Sequence, residues 1–218
     1  MRSFGVTVMD NLQPRWNVAP SQSSLVIVQT GLQPEAVFPH WGLPPGGQGR
    51  SFLINARMET AAEKPTFRQA FANRRCLVVA SGWYEWSGPR KPWHVQLCDG
   101  GVMGFGGLLL RHGGQDRFVV MTSAADGELA SIHHRAPLVL PPDRWQAWLT
   151  GGPDIAASLC VAAPSNWFNW YRVGAEVGRV AADHPELVTP LDDVALAAET
   201  EKGGNRALAD GGQGDLFG

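Results

Sequence analysis

Glycine and proline punctuate this chain so densely that no long helix can run through it. The 26 glycines and 16 prolines make nearly one residue in five of the 218, against a usual ~12%, and helix interiors tolerate these two residues least. The longest apolar run, Gly101 to Leu110, is itself interrupted by glycines. It falls far short of the ~20 residues a helix needs to cross a bilayer. What remains possible is a set of short elements joined by tight turns.

The apolar pattern says which elements. Leu25, Val26, Ile27 and Val28 lie in a β-branched run from Ser24 to Thr30, a buried strand, and Ala36 to Trp41 and Phe52 to Arg57 read as two more. Phe67, Ala70 and Phe71 fall at i, i+3 and i+4, which predicts a short helix over Thr66 to Asn73. Strands then follow in succession: Arg75 to Ser81, Trp83 to Trp86, Trp93 to Cys98, Val102 to Leu110 and Arg117 to Thr122. In the third of these Trp93, Val95 and Leu97 alternate with His94, Gln96 and Cys98, as a half-buried antiparallel strand requires. Short helices are expected at Asp126 to Ile132 and at Pro142 to Thr150, the latter with Trp145, Trp148 and Leu149 inward. Such a meander predicts an α+β fold, mainly an antiparallel barrel or sandwich, without parallel βαβ units. A chain this long buries about 70% of its extended surface, so one domain over residues 1–192 is expected. Residues 193–218 turn polar and glycine-rich, the composition of a disordered tail.

Net charge is −2, from 18 Lys+Arg against 20 Asp+Glu, which excludes a polycation. Only Lys64, Lys91 and Lys202 are lysines. The arginine bias suits bidentate phosphate recognition, and equally a GC-rich genome. Cys76, Cys98 and Cys160 are odd in number and widely spaced, and the six histidines miss zinc spacings. No metal, disulfide or cofactor is expected. The N-terminus has no apolar signal core, so a cytoplasmic location is expected.

Three groups of residues could carry chemistry. Strand alternation puts Glu85 on the face of Trp83 and opposite Tyr84 and Trp86. In a cleft, desolvation would suit that carboxylate to acid/base work; the pattern equally fits an edge glutamate that reaches water. Asn55 and Arg57 share a strand face, able to bind a phosphate or hold a reacting group, or simply to form a polar outer surface. In His133-His134-Arg135 one histidine should point inward, as a proton shuttle or as a satisfied structural residue.

Taken in order, the segments Arg15 to Gln22, Trp41 to Pro45, Asn55 to Thr60, Arg74 to Val78 with Gly82 to Trp86, and Ile132 to Leu140 resemble the successive signatures of the SOS response-associated peptidase (SRAP) family, from about Arg15 to Leu191. The resemblance implies a β-barrel-like domain that binds single-stranded DNA and traps abasic sites covalently. The family's nucleophile is an N-terminal cysteine, exposed when the initiator Met is removed from Met-Cys-Gly-Arg. Its amine condenses with the sugar aldehyde and its thiol closes a thiazolidine. Carried over by motif, Glu85 becomes the acid/base group, His133 assists ring opening and proton transfer, and Asn55 holds the reacting centre. Arg57 and Arg135 would grip the flanking phosphates and Trp41 would stack near the junction where the DNA is kinked. The protein would act as a monomer at the nucleoid.

The sequence departs from that pattern at its start, which reads Met1-Arg2-Ser3-Phe4-Gly5-Val6. Phe4-Gly5-Val6 looks like the end of the family's first helix, so the segment with the cysteine is expected to lie upstream. No internal cysteine offers a free α-amine. His134 stands where the family usually has Asp, and the Trp41 loop lacks a second tryptophan. Near the other end, Gln213, Leu216 and Phe217 belong to Gln213-Gly214-Asp215-Leu216-Phe217, which resembles the peptide that docks bacterial repair proteins on the DNA polymerase sliding clamp. Three activities follow: covalent abasic-site crosslinking with lyase character, an N-terminal-cysteine (auto)peptidase, and a non-catalytic, clamp-tethered single-strand binder. Peptide hydrolysis wants an oxyanion hole, which no segment displays, so the DNA reading is favoured.

Overall fold

The computed structural model describes residues 4–6, 12–45 and 51–196. Its centre is a nine-stranded curled sheet. β1 (Val26–Thr30) pairs antiparallel with β2 (Gln33–Val37) and with β5 (Arg75–Ala80), and β5 with β8 (Met103–His112). β8 turns into β9 (Gln115–Ala124) through Gly113 and Gly114, whose φ angles of 58° and 79° are the left-handed pair that a two-residue hairpin turn demands. On its other edge β9 takes β3 (His40–Trp41) and β4 (Asn55–Arg57) in parallel. Pro34 and Glu35 of β2 lie outside the strand expected at 36–41, which the structure splits into β2 and β3. The parallel pairings were not expected, because these short pieces reach β9 from a distant part of the chain rather than through a hairpin.

Alternation along β5 sorts the core into two layers. Leu77 and Val79 face a helical layer, with Phe67 and Phe71 at α2 (Arg68–Asn73) and Trp145 and Trp148 of α3 (Trp145–Thr150). The expected 142–150 helix begins as a 3-10 turn at Pro142–Arg144, and α4 (Pro153–Ser158) completes the layer. Cys76 and Val78 face the other way, toward a three-stranded sheet of β6 (Trp83–Trp86), β7 (Pro92–Leu97) and β12 (Phe168–Arg172). Trp83 sits edge-on to Phe105 at 5.9 Å and to Phe168 at 5.2 Å, which is how the two sheets interlock. β12 was not read from the sequence: Phe168 and Trp170 pack inward, but on the outer side exposed Asn169 is followed by half-buried Tyr171, and the inward side ends in Arg172, so the period-two signal is weak.

The hairpin of β8 and β9 splits at one end. Their pairing stops at Gly107 and Val120, and the segment of β10 (Arg135–Pro137) and β11 (Val139–Leu140) enters the gap, β10 against β9 and β11 against β8. Leu138 N–H donates to Met121 O and Leu138 O accepts from Gly106 N–H, both at 2.8 Å, with the side chain fully buried. A Cβ at Gly106 would stand 3.0 Å from Leu138 Cδ2, so any side chain there would press on Leu138.

The outer face of the small sheet is covered by Trp16 and by turns that bury Val173, Val177, Ala182 and Leu187. Asn17 Nδ2 donates to the carbonyls of Val177, Arg179 and Ala182, and Asp183 accepts from Trp16 N–H and Asn17 N–H. Residues 193–196 turn helically with Asp192 bonded to Ala195 N–H. Residues 197–218, with Gln213, Leu216 and Phe217, lie outside the described residues.

Two outcomes follow from this packing. Leu138→Ala should cost about 3 kcal/mol, measured by urea unfolding, because the gap between two hydrogen-bonded strands cannot collapse. His94 is buried on the outer face, where Tyr171 Oη donates to Val188 O at 3.0 Å and so accepts from His94 Nδ1 at 3.1 Å. Burial pushes the imidazole down to about 4 from its ordinary ~6.5. Between those values the unfolded chain takes up a proton that the folded one refuses, so stability is full above ~6.5 and falls as pH drops toward 4. The loss reaches at most about 3 kcal/mol, and in His94→Gln the acid limb of a stability–pH curve should flatten.

Candidate functional site

β6 alternates as its sequence requires: Trp83 and Glu85 turn toward the large sheet and Tyr84 and Trp86 away. The structure thereby buries Glu85 almost completely, at 1% exposure, rather than leaving it at an edge. Its Oε1 accepts from Trp86 N–H at 3.2 Å, and Oε2 lies 3.5 Å from His133 Nδ1. Of the adjacent histidines it is His133 that points inward; His134 is exposed, its ring edge-on to His133 with centroids 4.3 Å apart. His133 Nδ1 also faces Arg135 O at 3.0 Å and Arg135 N–H at 3.3 Å. A protonated Nδ1 donates to that carbonyl and an unprotonated one accepts from that N–H, so this geometry serves both states of a proton carrier.

The wedge between β8 and β9 brings the arginines close to this pair. Arg57 is in register with Thr122 on one edge of β9, and Pro137 with Thr122 on the other. Arg135 is buried, its NH2 donating to Thr122 O at 2.6 Å and to Thr122 Oγ1 at 3.2 Å. Its fork meets Glu59 in two parallel bonds of 2.7 and 2.9 Å, and these hold the Glu59 carboxyl below the usual carboxylate range. Glu59, on the one-turn helix α1 (Met58–Ala61), is a member of this site that sequence reasoning missed. The signal was available: Glu59 lies two residues beyond Arg57 in the quoted motif, but nothing local says that its partner is 76 residues away.

Asn55 is half-buried and Arg57 exposed, on the opposite side of β4 from buried Ala56. Trp41, which the family resemblance sets near the DNA junction, is packed within the protein. It is 8% exposed, stacks within 8° of parallel on Phe118, and donates its indole N–H to Ile54 O at 2.9 Å. It fixes the approach to β4. Of the cysteines, burial pushes the Cys76 thiol far up and Cys160 to about 11, while Cys98 is exposed. Neither Cys76 nor half-buried Cys160 offers a thiolate at neutral pH. Beside β6 lies a cavity of about 760 Å³, bounded by Trp16, Val78, Trp83, Tyr84, Trp86 and Phe105. Among the described residues β6 pairs with β7 alone, so its other edge is open. No cluster of three metal-ligating side chains, and no helix long and apolar enough to cross a membrane, occurs among the described residues.

This architecture has close counterparts. A crystal structure of a protein from Bacteroides thetaiotaomicron superposes with a TM-score of 0.66 at 21% identity, over 79% of this chain and 82% of that one. A phage-related protein from Bordetella bronchiseptica gives 0.64 at 28% identity, over 75% and 83%. In sequence, abasic site processing protein YedK of Escherichia coli (strain K12) is 35% identical over 192 residues, covering 81% of this chain and 85% of YedK. Abasic site processing protein YoaM of Bacillus subtilis (strain 168) is 31% identical with the same coverage. The family described as SOS response associated peptidase (SRAP) matches residues 2–180. With its motifs in order, its curled sheet and this breadth of likeness, the chain belongs to the SRAP family.

Proposed function

We propose that the protein processes abasic sites in single-stranded DNA, with Glu85 and His133 as the proton-transfer pair. The observation that carries this reading is their buried contact at 3.5 Å, joined through Arg135 to the Arg57 face of β4. Relatives named abasic site processing proteins support the substrate. Arg57 and Arg135 meet the backbone phosphates on either side of the lesion, and Asn55 holds the opened sugar.

The covalent step is the condensation of an N-terminal cysteine with the sugar aldehyde. Its α-amine and the aldehyde form an imine and release water; the thiol then adds across the C=N bond, sulfur to carbon and proton to nitrogen. Glu85 and His133 relay the protons of both additions. Cys76, Cys98 and Cys160 are internal and have no free α-amine, so the reaction requires a segment that ends in an N-terminal cysteine. The apolar cavity beside the open edge of β6 offers such a segment an extended seat. The protein works without a cofactor, as a cytoplasmic monomer at the nucleoid, and Gln213, Leu216 and Phe217 tether it to the sliding clamp.

The native protein, with its own N-terminus, should give a fluorescent abasic oligonucleotide a band that survives a denaturing gel. Glu85→Gln or His133→Ala should slow its appearance by about 100-fold. A native protein that carries the cysteine and yields no such band would overturn the covalent reading, while retained affinity for the oligonucleotide would leave a single-strand binder.

A further inference from the structure

We propose that Glu59 determines what the Arg135 site accepts: its carboxylate occupies the Arg135 fork until a DNA backbone phosphate replaces it. The inference rests on the reading that Arg135 meets DNA.

The Glu59–Arg135 pair is lopsided. The Arg135 side chain is 9% exposed and that of Glu59 is 44% exposed. A buried guanidinium stripped of its anion is strongly destabilised, whereas a half-exposed carboxylate returns to water at little cost. The pair therefore opens only in exchange for another anion, and Glu59 is the member that leaves. Arg135 does not follow it, because NH2 is anchored on Thr122 O and Oγ1.

What remains selects the incoming group. Two parallel N–H bonds on one carboxylate present the spacing that two non-bridging phosphate oxygens also fit. Arg135 Nε is buried with no partner among the described residues, a further donor left over in the same guanidinium. Arg57, two residues before Glu59 and exposed, adds a second cation for a chain of phosphates. A single-atom anion such as chloride must draw both N–H groups of the fork to one point along bent bonds, whereas two phosphate oxygens meet them in parallel. Competition from Glu59 thus favours a phosphodiester over small monovalent ions.

The test measures binding of the chain to a fluorescent abasic oligonucleotide by anisotropy. Glu59→Gln, which keeps the shape and removes the competing charge, should bind about five-fold tighter. Glu63→Gln, an exposed change five residues from Arg68 on no part of the fork, should move affinity by less than about two-fold and so corrects for net charge. Affinity of Glu59→Gln that is equal to or weaker than wild type, at an unchanged Tm, would mean that Glu59 merely braces Arg135, and the proposal falls. Should Glu59→Gln fold poorly, Glu59→Asp, whose shorter arm loosens the fork while keeping the charge, should also bind more tightly than wild type; weaker binding overturns the proposal. If Arg135→Gln binds as wild type does, the phosphate reading of Arg135 itself is wrong.

Discussion

Two backbone hydrogen bonds of Leu138, one to each arm of the β8–β9 hairpin, hold this molecule in its working shape. Where the two strands separate, the peptide groups that face the gap would be left unpaired in a buried place, at a cost comparable to a lost hydrogen bond each. The 135–140 segment supplies the missing partners on both sides. Because it enters in a fixed register, Arg135 is set opposite Ala124, from where its side chain reaches Thr122, and His133 is set just before it, under the small sheet. The Glu85–His133 contact and the Glu59–Arg135 fork are thus consequences of a strand-pairing problem solved once.

Two buried arginines show how surroundings decide the use of a charge. Arg75, at the start of β5, donates to the carbonyls of Phe71, Ala72, Trp148 and Gly151. These are dipoles of the helical layer, fixed in place by the fold, and they bind sheet to helices permanently. Arg135 is bonded on one side to the fold, at Thr122, and on the other to a movable carboxylate. The first arrangement has no exchangeable partner; the second has one.

Much of this was legible in the sequence where a single periodicity governed a residue. Glu85 had to share a face with Trp83, and one of two adjacent histidines had to turn in; the structure supplies which one and buries both partners. The Trp145 and Trp148 stripe likewise predicted a helix with an apolar inner face. What could not be read depended on partners far along the chain. That Trp41 stacks on Phe118 could not be read, because nothing near it in sequence reveals that partner. β12 hid because half-buried Tyr171 and Arg172 blur its alternation, and Glu59 because the fork it fills lies on the far side of β9. Residue type and spacing report an element's own faces, not what the rest of the chain lays against them.

Asn17 and Asp183 have one further consequence, for the order of events during synthesis. The stretch of Arg15 to Asn17 that bounds the cavity is fastened by Val177, Arg179, Ala182 and Asp183. β4 likewise waits for β9. A ribosome emits the beginning of the chain long before these anchors emerge, so the earliest residues stay loose while the meander of β5 to β9 forms from nearer neighbours. The cavity wall closes last, and a nascent chain interrupted before residue 177 would hold a folded centre with its front door unhung.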